Sequence, residues 1–401
     1  MSWIKGAGLL LAFLLFALTA WLERSFSFFL VAIALAVIFL MVISRRTPAV
    51  GTIAISTLLS IAAADFAVGA FLVNEKKSTF YDPDSDYTQG YSTRDTDLGY
   101  QPNPGVHSSR KVASDDSETI YDVVYTVGPD GFRSTPSNED KPISINLFGG
   151  SFTYGEGLND KETLPYYLSE TLGLGVKNYG VHGYGMHQAL AILQRDVPPK
   201  GKINIFLTAP WHALRSACKP GYAVGTPRYA LVDNALIRDG VCPNQTGLPG
   251  AGVFGRILNH SNIFKYFNKS KANTGVITPN DLDLYFAIMN KAYQLSRSRG
   301  QKVMIAFIKA RSDRLEESGQ TNQSIIQKLK GASDSLVDVT LADTRSKLDQ
   351  KYYIHELDQH PSAIANLERA ELIKSALTGS RLLTTGPPRF ESPAAAESDK
   401  Q

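Results

Sequence analysis

Hydrophobic positions follow two regimes along the chain. Up to about residue 75 they come in unbroken blocks: "GAGLLLAFLLFALTAW" (6–21), "FSFFLVAIALAVIFLMVI" (26–43) and "VGTIAISTLLSIAAADFAVGAFLV" (50–73). Each approaches the roughly 20 apolar residues that carry a helix across a bilayer. The blocks predict a membrane domain over residues 1–75 with three transmembrane helices, the first two joined as a hairpin through "LERS". A cleaved signal peptide is the rival reading of the first block, and the two blocks behind it argue against that reading. Asp65 interrupts the third block, where a carboxylate is costly and calls for a partner helix or a functional contact.

The periods then shorten. Residues 78–110 are polar, with Tyr, Asp, Pro and Gly, and read as an irregular linker. "ETIYDVVYTVGPDGFR" (118–133) alternates at Ile120, Val123 and Tyr125 and closes on a turn, so residues 76–140 are expected to form a linker and a short lead-in hairpin. From residue 141 strand-like and helix-like runs alternate. "ISINLF" precedes "ETLPYYLSETLG", "VKNYGV" precedes "GMHQALAILQRDV", and "KINIFLTA" is followed by the long helical pattern "DLDLYFAIMNKAYQLSRSRG". "KVMIAFI" precedes "SIIQKLK", and "LVDVTLAD" precedes "PSAIANLERAELIKSAL". This order predicts an α/β domain over 141–378, a parallel sheet with helices on both faces and its site beyond the carboxyl ends of the strands. Residues 217–259 break the pattern with Gly, Pro and Asn and read as an insertion, a lid near the site. Residues 379–401 have the composition of a disordered tail.

Composition narrows the partners. The net charge is only +3 and no run of Lys or Arg occurs, so nucleic acid is excluded as a partner. The two cysteines, Cys218 and Cys242, form no CxxC or Cys/His cluster, so no metal site is expected. They are free thiols in a reducing compartment. In an oxidising one they can close a loop worth about 3 kcal/mol. Arg45 and Arg46 between the second and third blocks place that loop in the cytoplasm, with Lys5 in agreement and Lys76 and Lys77 weakly against. The expected location is the cytoplasmic (inner) membrane, multi-pass, with the soluble domain on the extracytoplasmic or periplasmic side and the cysteines paired.

Candidate chemistry centres on "NLFGGSFTYGEG" (146–157), in which Ser151 follows a strand and two glycines. A serine hydroxyl needs a base, most often histidine. Of the seven histidines, His355 and His360 stand on a loop after a late strand, where a base must lie to reach the mouth of the first. Asp358 is two positions before His360, on the same side of an extended segment, and can hold one imidazole nitrogen while the other faces Ser151. Pro361 is expected to open the last helix.

"GGSFTYGEG", "NYGVHGYG" and "DQHPSAIANLERAELI" together resemble the SGNH/GDSL hydrolases over residues 143–377. The resemblance implies a flavodoxin-like three-layer α/β/α fold with Ser151 as nucleophile and His360 as base. It also implies an oxyanion site made by the backbone N–H groups of Ser151 and Gly183, the latter five residues after Asn178, itself a candidate for substrate or oxyanion support. Three departures stand out. Gly149-Gly150-Ser151 replaces Gly-Asp-Ser. The Gly-x-Asn-Asp block gives way to "LTAPWHALR", where His212 can serve as a donor, Arg215 can bind an anionic group, or both merely support the insertion. The acid is expected three residues before the histidine, where Leu357 stands, so Asp358 takes its place with Glu356 as rival. The resemblance implies an acyl or acetyl esterase without cofactor, and the membrane blocks point to an envelope polysaccharide or lipid as its substrate. The alternatives are an O-acyltransferase modifying a cell-surface polysaccharide and a non-catalytic envelope protein on the same fold, either with envelope protein partners.

Overall fold

The computed structural model describes residues 26–44, 49–70, 90–113, 118–138, 140–243, 261–264, 276–341 and 349–383. Helices α1 (Phe26–Ser44) and α2 (Ala49–Val68) run antiparallel, with Met41 against Gly51 at one end and Ser27 against Asp65 at the other. Among the described residues only α2 is long and apolar enough to cross a membrane, and little of it is buried; the apolar run of α1 stops at Met41. Among the described residues one candidate crossing stands, where the sequence suggested three over residues 1–75. The block at 6–21, Arg45, Arg46, Lys76 and Lys77 lie outside the described residues. Asp65 is fully enclosed and well supplied with donors. It accepts from Ser27 Oγ at 2.8 Å, Ser261 Oγ at 2.6 Å, the Ile263 amide at 3.0 Å and Asn262 Nδ2 at 3.3 Å.

The stretch read as an irregular linker is ordered from residue 90. β1 (Ser92–Asp95) pairs antiparallel with β2 (Gly99–Pro102), and β3 (Gly105–Val112) with β4 (Thr119–Val127). The hairpin partner of the "ETIYDVVYTV" strand thus precedes it. β3 escapes a hydrophobic reading because its alternation is inverted: His107 and Ser109 face inward while Val106 and Arg110 face solvent.

The core is a five-stranded parallel sheet of β5 (Ile143–Gly149), β6 (Gly175–Gly180), β7 (Ile203–Thr208), β10 (Lys302–Phe307) and β11 (Ser335–Asp338), in spatial order β6-β5-β7-β10-β11. Successive side chains are buried on opposite faces, which explains the unbroken apolar runs. Ile145, Leu147, Ile205 and Met304 pack against α4 (Leu164–Leu172) and α9 (Ala363–Gly379). Phe148, Phe206, Ile305 and Phe307 pack against α5 (Met186–Gln194), α7 (Pro279–Ser298) and α8 (Asn322–Lys330). The chain order across the sheet is 2-1-3-4-5, so the direction of winding reverses between β5 and β7 and opens a crevice at their carboxyl ends.

Short helices α3 (Ser151–Tyr154) and α6 (His212–Ser216) leave that crevice. Within the described part of the insertion, the hairpin β8 (Pro227–Val232) and β9 (Ala235–Val241) is tied at its base by a Cys218–Cys242 disulfide with Cα atoms 5.4 Å apart. Residues 244–259 lie outside the described residues. The bond closes a loop with a sequence separation of 24, a constraint of about 3 kcal/mol on the unfolded chain. Replacing both cysteines by serine is expected to lower unfolding free energy by that amount. An unchanged thermal midpoint on reduction would contradict it. Near the end of the chain, β12 (Tyr353–His355) pairs antiparallel with β13 (Asp358–Pro361). Pro361 closes β13 rather than opening the helix, and Ser362 caps α9 by accepting from the Ala365 amide.

Candidate active site

β5 delivers the chain to the crevice through Gly149 and Gly150. A Cβ on Gly150 would lie 2.5 Å from Arg215 Nη1 and 2.9 Å from the Tyr184 carbonyl oxygen, so no side chain fits. The second glycine lets the turn after β6 and the guanidinium of Arg215 close on the backbone that presents Ser151. Ser151 begins α3 with little exposed surface.

His360 reaches it from β13. Its Nε2 is 2.9 Å from Ser151 Oγ, and its Nδ1 is 2.5 Å from Asp358 Oδ1. Asp358 is buried, accepts the His360 amide at 3.0 Å, and its other oxygen accepts from Lys111 Nζ of β3 at 3.2 Å. Burial alone would raise the Asp358 pKa; the hydrogen bond to His360, its charge and that of Lys111 outweigh it and hold the carboxyl below the usual range. Phe152 packs its ring edge against His360 at 5.7 Å. The other sequence candidates fall away from Ser151. His355 Nε2 faces Glu118 at 3.0 Å, Glu356 is exposed, and Leu357 joins a cluster with Ile354 and Tyr121.

Gly183 stands at φ +71° in the turn after β6, and a Cβ there would meet the Tyr100 hydroxyl at 2.6 Å. Asn178 is not a substrate contact. It is fully buried in β6, where it accepts from the Gly180 amide at 2.9 Å and donates to the Tyr154 carbonyl at 3.4 Å, bracing the two turns that meet at the site. His212 is buried beside the serine turn, with Nδ1 3.1 Å from Thr208 Oγ1. Burial, then the charge of Arg215, push its imidazole pKa well down, which makes it a poor proton acceptor. Arg215 donates to the Tyr184 carbonyl at 2.7 Å and to the Tyr222 hydroxyl at 3.1 Å. Its Nη1 lies 2.5 Å from where a Cβ of Gly150 would stand, beside the serine turn.

Three contributors escape a sequence reading. Lys111 lies 247 positions from the aspartate it pairs with. Glu156, half-buried in the loop after α3, places Oε2 3.2 Å from His360 Nε2 and 2.8 Å from His182 Nδ1. Its only signal is a charged residue between two glycines, "GEG". His182, in the turn after β6, completes the group with Nε2 3.0 Å from the Tyr91 hydroxyl. Among the described residues no group of three or more His, Cys, Asp or Glu side chains could hold a metal ion.

The sequence matches no family model and no curated protein. Among solved structures the chain is similar to a G-D-S-L family lipolytic protein from Desulfitobacterium hafniense DCB-2, at 14% identity over 60% of this chain and 99% of that one, TM-score 0.33. It is also similar to an acetyl xylan esterase from Butyrivibrio proteoclasticus, at 9% identity over 60% and 65% of the two chains, TM-score 0.35. A third is a carbohydrate esterase family 2 enzyme with a carbohydrate binding domain from Corynascus thermopiles (Myceliophthora fergusii), at 11% identity over 75% and 97%, TM-score 0.33.

Proposed function

We propose that this chain is a serine esterase of the SGNH/GDSL type, with Ser151 as nucleophile, His360 as base and Asp358 as the group that orients the base. The observation that carries the reading is the pair of contacts on one imidazole, Nε2 to Ser151 Oγ at 2.9 Å and Nδ1 to Asp358 Oδ1 at 2.5 Å. Neutral His360, with its proton on Nδ1 and donated to Asp358, takes the Ser151 proton as Oγ attacks an ester carbonyl. The N–H groups of Ser151 and Gly183 stabilise the oxyanion, with the charge of Arg215 alongside. The imidazolium returns its proton to the departing alkoxide. Water, deprotonated by the same nitrogen, attacks the acyl-serine, and the imidazolium returns that proton to Ser151 Oγ as the acid departs.

The proposed substrate is an acylated carbohydrate or lipid at the cell envelope, and the proposed location is the extracytoplasmic side of the membrane. Helix α2 supports anchoring, and the Cys218–Cys242 bond supports an oxidising compartment. A fluorophosphonate probe tests the chemistry on the full chain in detergent. Covalent labelling of the wild type that disappears in Ser151→Ala is expected. A wild type that stays unlabelled from neutral to alkaline pH overturns the proposal.

A further inference from the structure

His360 has one neighbour more than proton transfer from Ser151 requires. Besides Ser151 Oγ, its Nε2 faces Glu156 Oε2 at 3.2 Å, while Nδ1 faces Asp358, so both flanks of one imidazole look at carboxylates. An ionised carboxylate only accepts hydrogen bonds, so it favours a ring nitrogen that carries its proton. Glu156 does not drift into this place. His182 Nδ1 holds the same Oε2 at 2.8 Å, and Arg133 grips the carbonyls of Gly155 and Leu158 on either side of its loop.

We propose that Glu156, fixed by His182, is a positioning residue that acts through the base: it keeps Nε2 of His360 protonated at rest and so sets the pH at which Ser151 becomes nucleophilic. The inference deepens the esterase reading of the same site and rests on it.

The charges around the imidazole are consistent with this role. Asp358 comes from β13, Glu156 from the loop after α3, Lys111 from β3 and His182 from the turn after β6, while the hydroxyls of Tyr91, Tyr100 and Tyr125 surround Glu156 and His182. The two carboxylates face Lys111 and a protonated His360, and loss of the His360 proton removes one of the positive charges that offset them. Burial alone would push the imidazole pKa down; Glu156 first and Asp358 second outweigh it and raise it. Burial alone would raise the Glu156 carboxyl; the imidazoles of His360 and His182, with Lys111, hold it well below the usual carboxylate range. Glu156 is therefore charged throughout the interval in which His360 titrates.

Attack by Ser151 needs neutral His360, so reactivity rises with pH through the raised pKa and is lost as pH falls below it. Glu156→Gln removes the charge but keeps the shape, so the acidic limb moves to lower pH. The base also becomes weaker, so the alkaline plateau falls. The two profiles cross, which a loss of packing alone does not produce.

The test is the pH dependence of Ser151 acylation by a fluorophosphonate, on the full chain in detergent. On the acidic limb Glu156→Gln is expected to react roughly threefold to tenfold faster than wild type, and on the plateau several-fold slower. Glu156→Asp, which keeps the charge but withdraws it by one methylene, is expected to fall between. A limb at the wild-type pH with a uniform drop in rate overturns the proposal. A second readout is independent of turnover: the NMR titration of carbon-labelled His360 in a Ser151→Ala background, assigned with His360→Gln. Adding Glu156→Gln is expected to move its midpoint to lower pH, and an unmoved midpoint also overturns the proposal. Should the wild-type serine prove inert to the probe at every pH, the esterase reading fails, and the His360 titration still decides what Glu156 does.

Discussion

Replacing His360 by glutamine is expected to reduce ester turnover by about four orders of magnitude or more. A serine hydroxyl is almost wholly protonated near neutrality, and the only nitrogen base within hydrogen-bond distance among the described residues is His360 Nε2 at 2.9 Å. His212 cannot stand in, because burial and the charge of Arg215 make its ring a poor proton acceptor and its Nδ1 is committed to Thr208. Nucleophile and base act as one unit, so Ser151→Ala should cost a similar factor, and the double variant little more than either single change. Hydrolysis of a chromogenic ester by the detergent-solubilised chain, against a thermal-stability control, gives the measurement. A His360→Gln protein within tenfold of wild type would remove His360 from the mechanism.

Replacing Arg133 by methionine is expected to have the largest effect on stability, a loss of about 3–5 kcal/mol. Its side chain has no exposed surface. The guanidinium donates to Asp160 at 2.8 Å, to the carbonyls of Tyr154 and Gly155 at 3.1 and 2.6 Å, and to that of Leu158 at 2.6 Å. It also lies over the rings of Tyr125 and Tyr154, at 4.4 and 5.0 Å from their centroids. Methionine fills much of the volume but leaves three carbonyls and a carboxylate without this donor. The thermal midpoint should fall by roughly 10 °C. Because the freed loop carries Glu156, the pH profile of Ser151 should shift in the direction described for Glu156→Gln. A loss below 1 kcal/mol would show that the loop holds itself.

The parallel sheet was readable because its strands are buried on both faces, so "ISINLF" and "KVMIAFI" are apolar at nearly every position. Ser151 stood out because it follows a recognisable strand directly, and His360 because it lies between the last apolar strand and the last helical run. Asp358 was readable from the period of an extended segment, although the strand β13 that makes it extended was not. What escaped depends on pairings the linear order does not encode. β3 carries polar residues inward, so it looked like linker, and with it went Lys111. Glu156 and His182 needed two turns to be folded against each other. Asn178 looked like part of the substrate site because it matched a spacing, whereas its side chain is spent on backbone groups.

Asp65 ties the order of biogenesis to the structure. Its carboxylate on α2 is made early, but Ser261, which donates to it at 2.6 Å, follows 196 positions later. At translation rates of roughly 5–20 residues per second the donors arrive about 10–40 seconds after the acceptor. In that interval Ser27 is the partner already synthesised. The helical pair at the start of the chain is therefore completed by residues that emerge only after three of the five strands of the central sheet, and its final packing is a late event in assembly.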